Sequence, residues 1–118
     1  MTDDKLPVYI SQMLDAATTA CSYVEGYDKD DFLADQRTQQ AVMMNVLIIG
    51  EVATKIAQNY PDFAAANPNV PWSSMRNMRN MRNRIAHGYF EIDFEVVWET
   101  VSSSLPPLID ALVHLNQT

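Results

Sequence analysis

The sequence holds only three glycines and one cysteine among its 118 residues. Scarce glycine, beside abundant alanine, leucine, valine and methionine, favours helices over sheets. The lone Cys21 forbids an intrachain disulfide and fits a reducing, cytoplasmic setting. One cysteine and two distant histidines, His87 and His114, make no soft-ligand metal site within one chain. A site of carboxylates alone remains open, and no cofactor is expected. No uninterrupted apolar run reaches the roughly 18 residues needed to cross a bilayer, so no membrane partner is expected. The start, MTDDKLPVYI, is acidic, which is wrong for a signal peptide. Acid itself is missing from one stretch: Phe63 to Phe90 contains none.

Against these absences stands a chain that is 47% hydrophobic, enough to bury a core, at the size of one domain spanning residues 1–118. Its net charge of −7 argues against general nucleic-acid binding. The distribution argues differently. Four of the eight basic residues, Arg76, Arg79, Arg82 and Arg84, fall inside the acid-free stretch MRNMRNMRNRIAHGYF, residues 75–90. For a charge run alone, a solvated helix face is the simpler reading.

Apolar residues at helical spacing run through LPVYISQMLDAATTACSYVE, residues 6–25. GYDKDDF reads as a turn with capping aspartates, so a second helix starts near Asp28 to Asp31 and continues to about Asn59, with a bend near Asp35. The prolines of PDFAAANPNVPW mark a connection with about one helical turn. Pro71 opens a helix over 72–87 that Gly88 stops. Asp93 caps a last helix over 94–115, interrupted near Pro106. The expected fold is all-α: an up-and-down four-helix bundle with one extra short helix or turn.

In AVMMNVLIIG, residues 41–50, the polar stripe of Glu51, Lys55 and Gln58 projects back onto Met44, Leu47 and Ile48. Apolar residues on a face that should be polar favour self-association over full burial. Cys21 falls on an apolar face and reads as core. His114 reads as a surface residue away from acidic partners. Glu51 interrupts an apolar helix, either pairing with an arginine of the 72–87 helix or capping a dimer.

Placed on a helix at about 100° per residue, Trp72, Met75, Met78, Met81 and Ile85 form the core stripe. Arg79 and Arg82 are neighbours on one flank. Asn83 lies one turn below His87 and can hydrogen-bond to it. Arg82 and His87 are roughly 140° apart on an ideal helix and would not meet if it continued. Gly88 lets the chain turn left-handed directly after His87, so that the imidazole can swing back toward the guanidinium. Such a pair suits metal-free RNA cleavage. Imidazole moves protons near neutral pH, guanidinium holds phosphate, and the 2′-hydroxyl is the internal nucleophile. On spacing alone, a polar helix cap without chemistry is the simpler reading of His87.

The run RNRIAHGY, Arg82 to Tyr89, resembles the R-(polar)-x-x-x-H-x-Y signature of the HEPN superfamily, and specifically of the HepT-like toxins. FLADQRTQQAVMMNVLIIGEVATKI, PWSSM and HGYFEIDFEVVWETV are similar to that family as well. The resemblance implies a helical HEPN bundle that forms a homodimer or higher even oligomer, with two signature segments sharing a cleft. It implies a ribonuclease toxin with Arg82 and His87 catalytic and Asn83 orienting them. Tyr89 takes the position at which a nucleotidyltransferase antitoxin of the MntA type attaches AMP. The added phosphate would bring negative charge into a basic cleft meant for RNA. Arg76 and Arg79 lie outside the signature; their reading as RNA contacts, with Arg84, rests on charge alone.

Two rivals remain. A non-catalytic HEPN module could bind nucleotides or serve as a nucleotidyltransferase partner, and a small basic patch on an acidic chain fits that too. A purely structural dimerisation bundle would be indifferent to losing Arg82 or His87.

Overall fold

The computed structural model of the chain describes residues 4–80, 88 and 92–115. Within them α1 spans Leu6–Tyr23, α2 Lys29–Leu33, α3 Gln36–Asn59, α4 Pro61–Ala66, α5 Trp72–Asn77, α6 Phe94–Glu99 and α7 Leu105–Leu115. A π-helical turn, Thr100–Ser104, joins α6 to α7. The fold is the expected all-α bundle, and no strand occurs among the described residues. It carries two extra short helices, α2 and α4, where the sequence predicts one.

Three helix starts, those of α2, α3 and α6, are built by short acidic side chains. Asp28 and Asp31 form a reciprocal capping box: Asp31 N–H donates to Asp28 Oδ1 at 2.8 Å and Asp28 N–H to Asp31 Oδ2 at 3.1 Å. The expected bend near Asp35 is a full break, because Asp35 takes an extended conformation and caps α3, accepting from Thr38 N–H at 3.1 Å. Gln39, buried on α3, donates to the Phe32 and Leu33 carbonyls at 3.0 Å, satisfying the open end of α2. Phe32, fully buried, packs its ring 5.5 Å from that of Trp98 on α6. At the far end, Asp93 accepts from Glu95 N–H at 3.0 Å and starts α6, as its position predicts.

The core runs along α3, which packs against α1 on one side and α5 on the other, while α7 closes over α1. Met13, Ala17, Val42, Ile49, Ala53, Ile56, Met75, Leu105 and Leu112 are all fully buried there. By length and composition alone α3 could cross a membrane; eight of its ten buried residues are apolar or glycine and belong to the core face. Met44 and Ile48 are exposed, which rules out full burial of that face within one chain.

The interruption expected near Pro106 is the π turn. Leu105 N–H reaches back to the Thr100 carbonyl, and the two prolines that follow have no N–H to return. The Val101 carbonyl instead accepts from the Cys21 thiol at 3.8 Å. Cys21 is therefore only half-buried at the edge of the core, a correction to its expected place, and burial pushes its thiol pKa up. His114 is exposed as expected, but not apart from acid: its Nδ1 lies 3.8 Å from Asp110 Oδ1 and 2.7 Å from the Asp110 carbonyl.

Candidate functional site

The helix expected over 72–87 is interrupted in its described part, where a two-residue turn separates α5 from helical Asn80. After Pro71, α5 ends at Asn77 and the chain turns through Met78 and Arg79. Met78 N–H bonds to the Met75 carbonyl and Arg79 N–H to the Arg76 carbonyl, both at 3.1 Å, which tightens the last turn. Helix propensity gives no reason for this stop. The cause is tertiary: the turn lies directly against Gly50 of α3. A Cβ on Gly50 would sit 2.8 Å from the Met78 carbonyl carbon and 2.9 Å from Arg79 Cα, and nearer still to Arg79 N. Only glycine permits that approach.

The next residue uses the approach. Glu51 Oε1 lies 3.7 Å from Arg79 Nε, realising the first of the two roles expected for Glu51. Both side chains are partly exposed, at 47% for Arg79 and 31% for Glu51. A pair so wet contributes at most about 1 kcal/mol, so it can orient the guanidinium without locking it. Arg76 is exposed and makes no ion pair among the described residues. The methionines fall inward as their spacing predicts, Met75 fully buried and Met78 and Trp72 packed on the core, while Trp72 Nε1 donates to the Asn67 carbonyl at 3.0 Å.

Arg82, Asn83, Arg84, His87 and Tyr89 lie outside the described residues, as do Met81 and Ile85. Gly88, which follows His87, has φ = 150°, a positive value that a side chain would disfavour. This is not the left-handed helical value of about +57° that the expected turn would use, and the residues on either side lie outside the described ones.

Two grooves meet at the end of α5. One, of about 390 Å³, is lined by Thr54, Gln58, Ser73, Asn77, Asn80 and both Arg76 and Arg79. The other, of about 520 Å³, is lined by Val46, Ser74, Asn77, Met78, Asn80, Val96, Thr100 and Ser104. The first holds Arg76 and Arg79, the two described arginines of the 75–90 segment; the second has no charged residue among its described lining. Asn77 and Asn80 line both, a role the sequence reading did not assign. The repeat of MRN at a spacing of three is the signal that could have found them, since it stacks the two amides as it stacks the two arginines. Among the described residues no group of three or more His, Cys, Asp or Glu side chains could hold a metal ion.

Residues 13–115 match the family described as "Ribonuclease HepT-like". The chain belongs to the HepT-like ribonuclease family. It is 40% identical over 79 residues to a protein of Thermococcus cleftensis named "Probable ribonuclease HepT", a match covering 67% of this chain and 66% of that one. Two proteins of Methanocaldococcus jannaschii, each named "Putative RNase", are also similar. One is 35% identical over 77 residues, covering 65% of this chain and 59% of its own length. The other is 29% identical over 108 residues, covering 92% and 94%. The matched segment thus spans about two thirds or less of the first two relatives and nearly all of the third. No solved structure matches the chain. The HepT-like match spans α5, both grooves and the Arg82–Tyr89 signature.

Proposed function

We propose that this HepT-like protein is a metal-independent RNA endonuclease, the toxin of a toxin–antitoxin pair acting in the cytoplasm. Membership of a ribonuclease family over residues 13–115, signature included, is the observation that carries this reading. In the proposed mechanism the 2′-hydroxyl attacks the adjacent phosphorus and the 5′-oxygen of the next nucleotide leaves. His87 moves the proton, and Asn83 orients its ring. Arg82 hydrogen-bonds the phosphate and stabilises the charge that develops on it. The products are a 2′,3′-cyclic phosphate and a free 5′-hydroxyl, because the nucleophile belongs to the substrate itself.

Arg76, Arg79 and Arg84 draw RNA toward the signature. The exposed face bearing Met44 and Ile48 joins two chains, bringing two signatures together. Tyr89 accepts AMP from a nucleotidyltransferase antitoxin, and the new phosphate repels RNA from the same basic surface. The positive φ of Gly88, a backbone conformation that side chains disfavour, is in keeping with a special backbone position directly after the proposed catalytic histidine.

The test is cleavage of RNA by the purified protein beside His87→Ala. The variant should lose about 10²–10⁴-fold in rate with its thermal melt unchanged, the range for removing a general acid–base. A substrate with 2′-deoxyribose at the scissile position should resist cleavage. Equal rates for protein and variant, or for ribose and deoxyribose, would remove the ribonuclease reading.

A further inference from the structure

The asparagines of the MRN repeat have no part in the signature chemistry, yet they stand where the two grooves meet. Two asparagines elsewhere serve the backbone, Asn45 donating to the Ala41 carbonyl and Asn67 to the Phe63 carbonyl, each at 2.9 Å; Asn59 and Asn69 are exposed like Asn77 and Asn80, but neither lines these two grooves. Asn77 and Asn80 are exposed and make no side-chain hydrogen bond among the described residues. Lining the same two grooves, they present two NH2 donors and two carbonyl acceptors close together.

The groove of about 520 Å³ offers a matching surface. Met78 and Val96, over the buried Val46, give it an apolar floor, and Ser74, Thr100 and Ser104 add hydroxyls around it. Val96 is 50% exposed, so this floor is open to a flat ligand. Thr100 and Ser104 belong to the π turn, whose wider coil helps shape the groove wall. The described lining carries no cation to counter a phosphate. It suits a neutral, planar ligand with both donors and acceptors on its edge. The neighbouring groove, across the same two amides, has Arg76 and Arg79 for an anion.

We propose that the groove of about 520 Å³ is a nucleobase subsite. An unpaired base of single-stranded RNA lies on Met78 and Val96, over Val46, with its edge read by Asn77 and Asn80, and an adjoining phosphate sits in the arginine groove. The proposal rests on the ribonuclease reading and names the form of its substrate: unpaired strands, since a base held in a duplex has no free edge to offer this surface.

The experiment measures binding in a His87→Ala background, so that RNA is not consumed, and cleavage by the otherwise unmodified chain in parallel. Two probes are used: a short single-stranded RNA, and the same chain with abasic ribose at its central positions. The Asn77→Ala, Asn80→Ala double variant should bind the base-bearing probe about tenfold more weakly and the abasic probe equally well, with an unchanged salt dependence. Val96→Trp, which fills the groove from its exposed rim, should give the same base-selective loss. Arg76→Ala should weaken both probes alike. Equal losses on both probes for the asparagine and Val96 variants, or none on either, overturn the base subsite while cleavage by the unmodified chain stands. A groove that takes a peptide instead would give that second result. If the unmodified chain neither binds nor cuts RNA, the ribonuclease reading fails and the subsite with it.

Discussion

The acidic corner around α2 and the arginine segment around α5 use polar side chains in opposite ways. Asp28, Asp31 and Asp35 are all engaged in holding helix ends. Asp35 also accepts from the Tyr27 hydroxyl at 2.6 Å and the Thr38 hydroxyl at 2.7 Å. Arg76, Asn77 and Asn80, by contrast, make no side-chain contact of that kind among the described residues, and Arg79 makes one loose pair. Charge in the first region builds the fold. In the second it is left facing solvent by a scaffold of Met75, Met78 and Gly50 that does the folding instead. Groups with no such bond among the described residues are candidates for meeting a ligand.

The largest effect that sharpens this contrast is on the acidic side. Phe32→Ala empties a fully buried site against Trp98 and should lower unfolding free energy by about 3–5 kcal/mol in urea titrations. RNA affinity per folded molecule should stay as it was. Gly50→Ala comes next, because it strikes where scaffold and arginines touch. Better helix propensity would favour alanine by about 1 kcal/mol. The added methyl would press on the Met78–Arg79 backbone, and overpacking of this kind costs about 1–3 kcal/mol. Because the contact is to backbone, we expect a net loss in melting temperature together with weaker RNA binding, since Arg79 must shift.

Asp35 gives a pH-resolved effect. Its hydrogen bonds from Tyr27, then from the Thr38 side chain and backbone, lower its pKa from 3.8 to about 2. A lowered carboxyl contributes its stabilisation fully above the ordinary value and loses it as pH falls through about 2. Asp35→Asn should therefore be less stable than the parent near neutral pH, with the gap closing across that acid window. Parallel acid titrations in which the gap stays constant would contradict this account. The smallest effect on stability belongs to Arg76→Ala, within about 0.5 kcal/mol of the parent. Its signature is elsewhere: the salt slope of single-stranded RNA binding should fall by about 0.7, one phosphate's worth.

Much of this division could be read from the sequence because its causes are local. Short acids before apolar runs mark Asp28 and Asp93 as helix starts, methionines at spacings of three and four mark Met75 and Met78 as inward, and Gly88 marks a backbone position that other residues resist. Four features escaped because their causes are not local. Asp35 looked like a bend, since nothing in the neighbouring residues says that Gln39 would close the end of α2. The stop at Asn77 depends on α3 lying against the following turn, and propensity alone continues the helix. The grooves need α6 and the π turn beside α5. The π turn itself depends on two prolines acting on a helix whose Val97, Val101 and Leu105 are all held in the core. The family signature was legible as a pattern, and the placement of its side chains is a matter for the tests above.

The turn at Thr100–Ser104 also sets the phase of everything after it. An ordinary helix advances about 100° for each residue, so one serine more or fewer in Ser102–Ser104 would rotate α7 by roughly that angle. Leu108 and Leu112, now sealed inside, would swing to a flank, and Pro107, Asp110 and His114 would rotate with them. The length of that serine run is thus the gear tooth that meshes the last helix with the bundle, and changing its count by one would alter which side of the chain's end meets solvent without touching a single apolar residue.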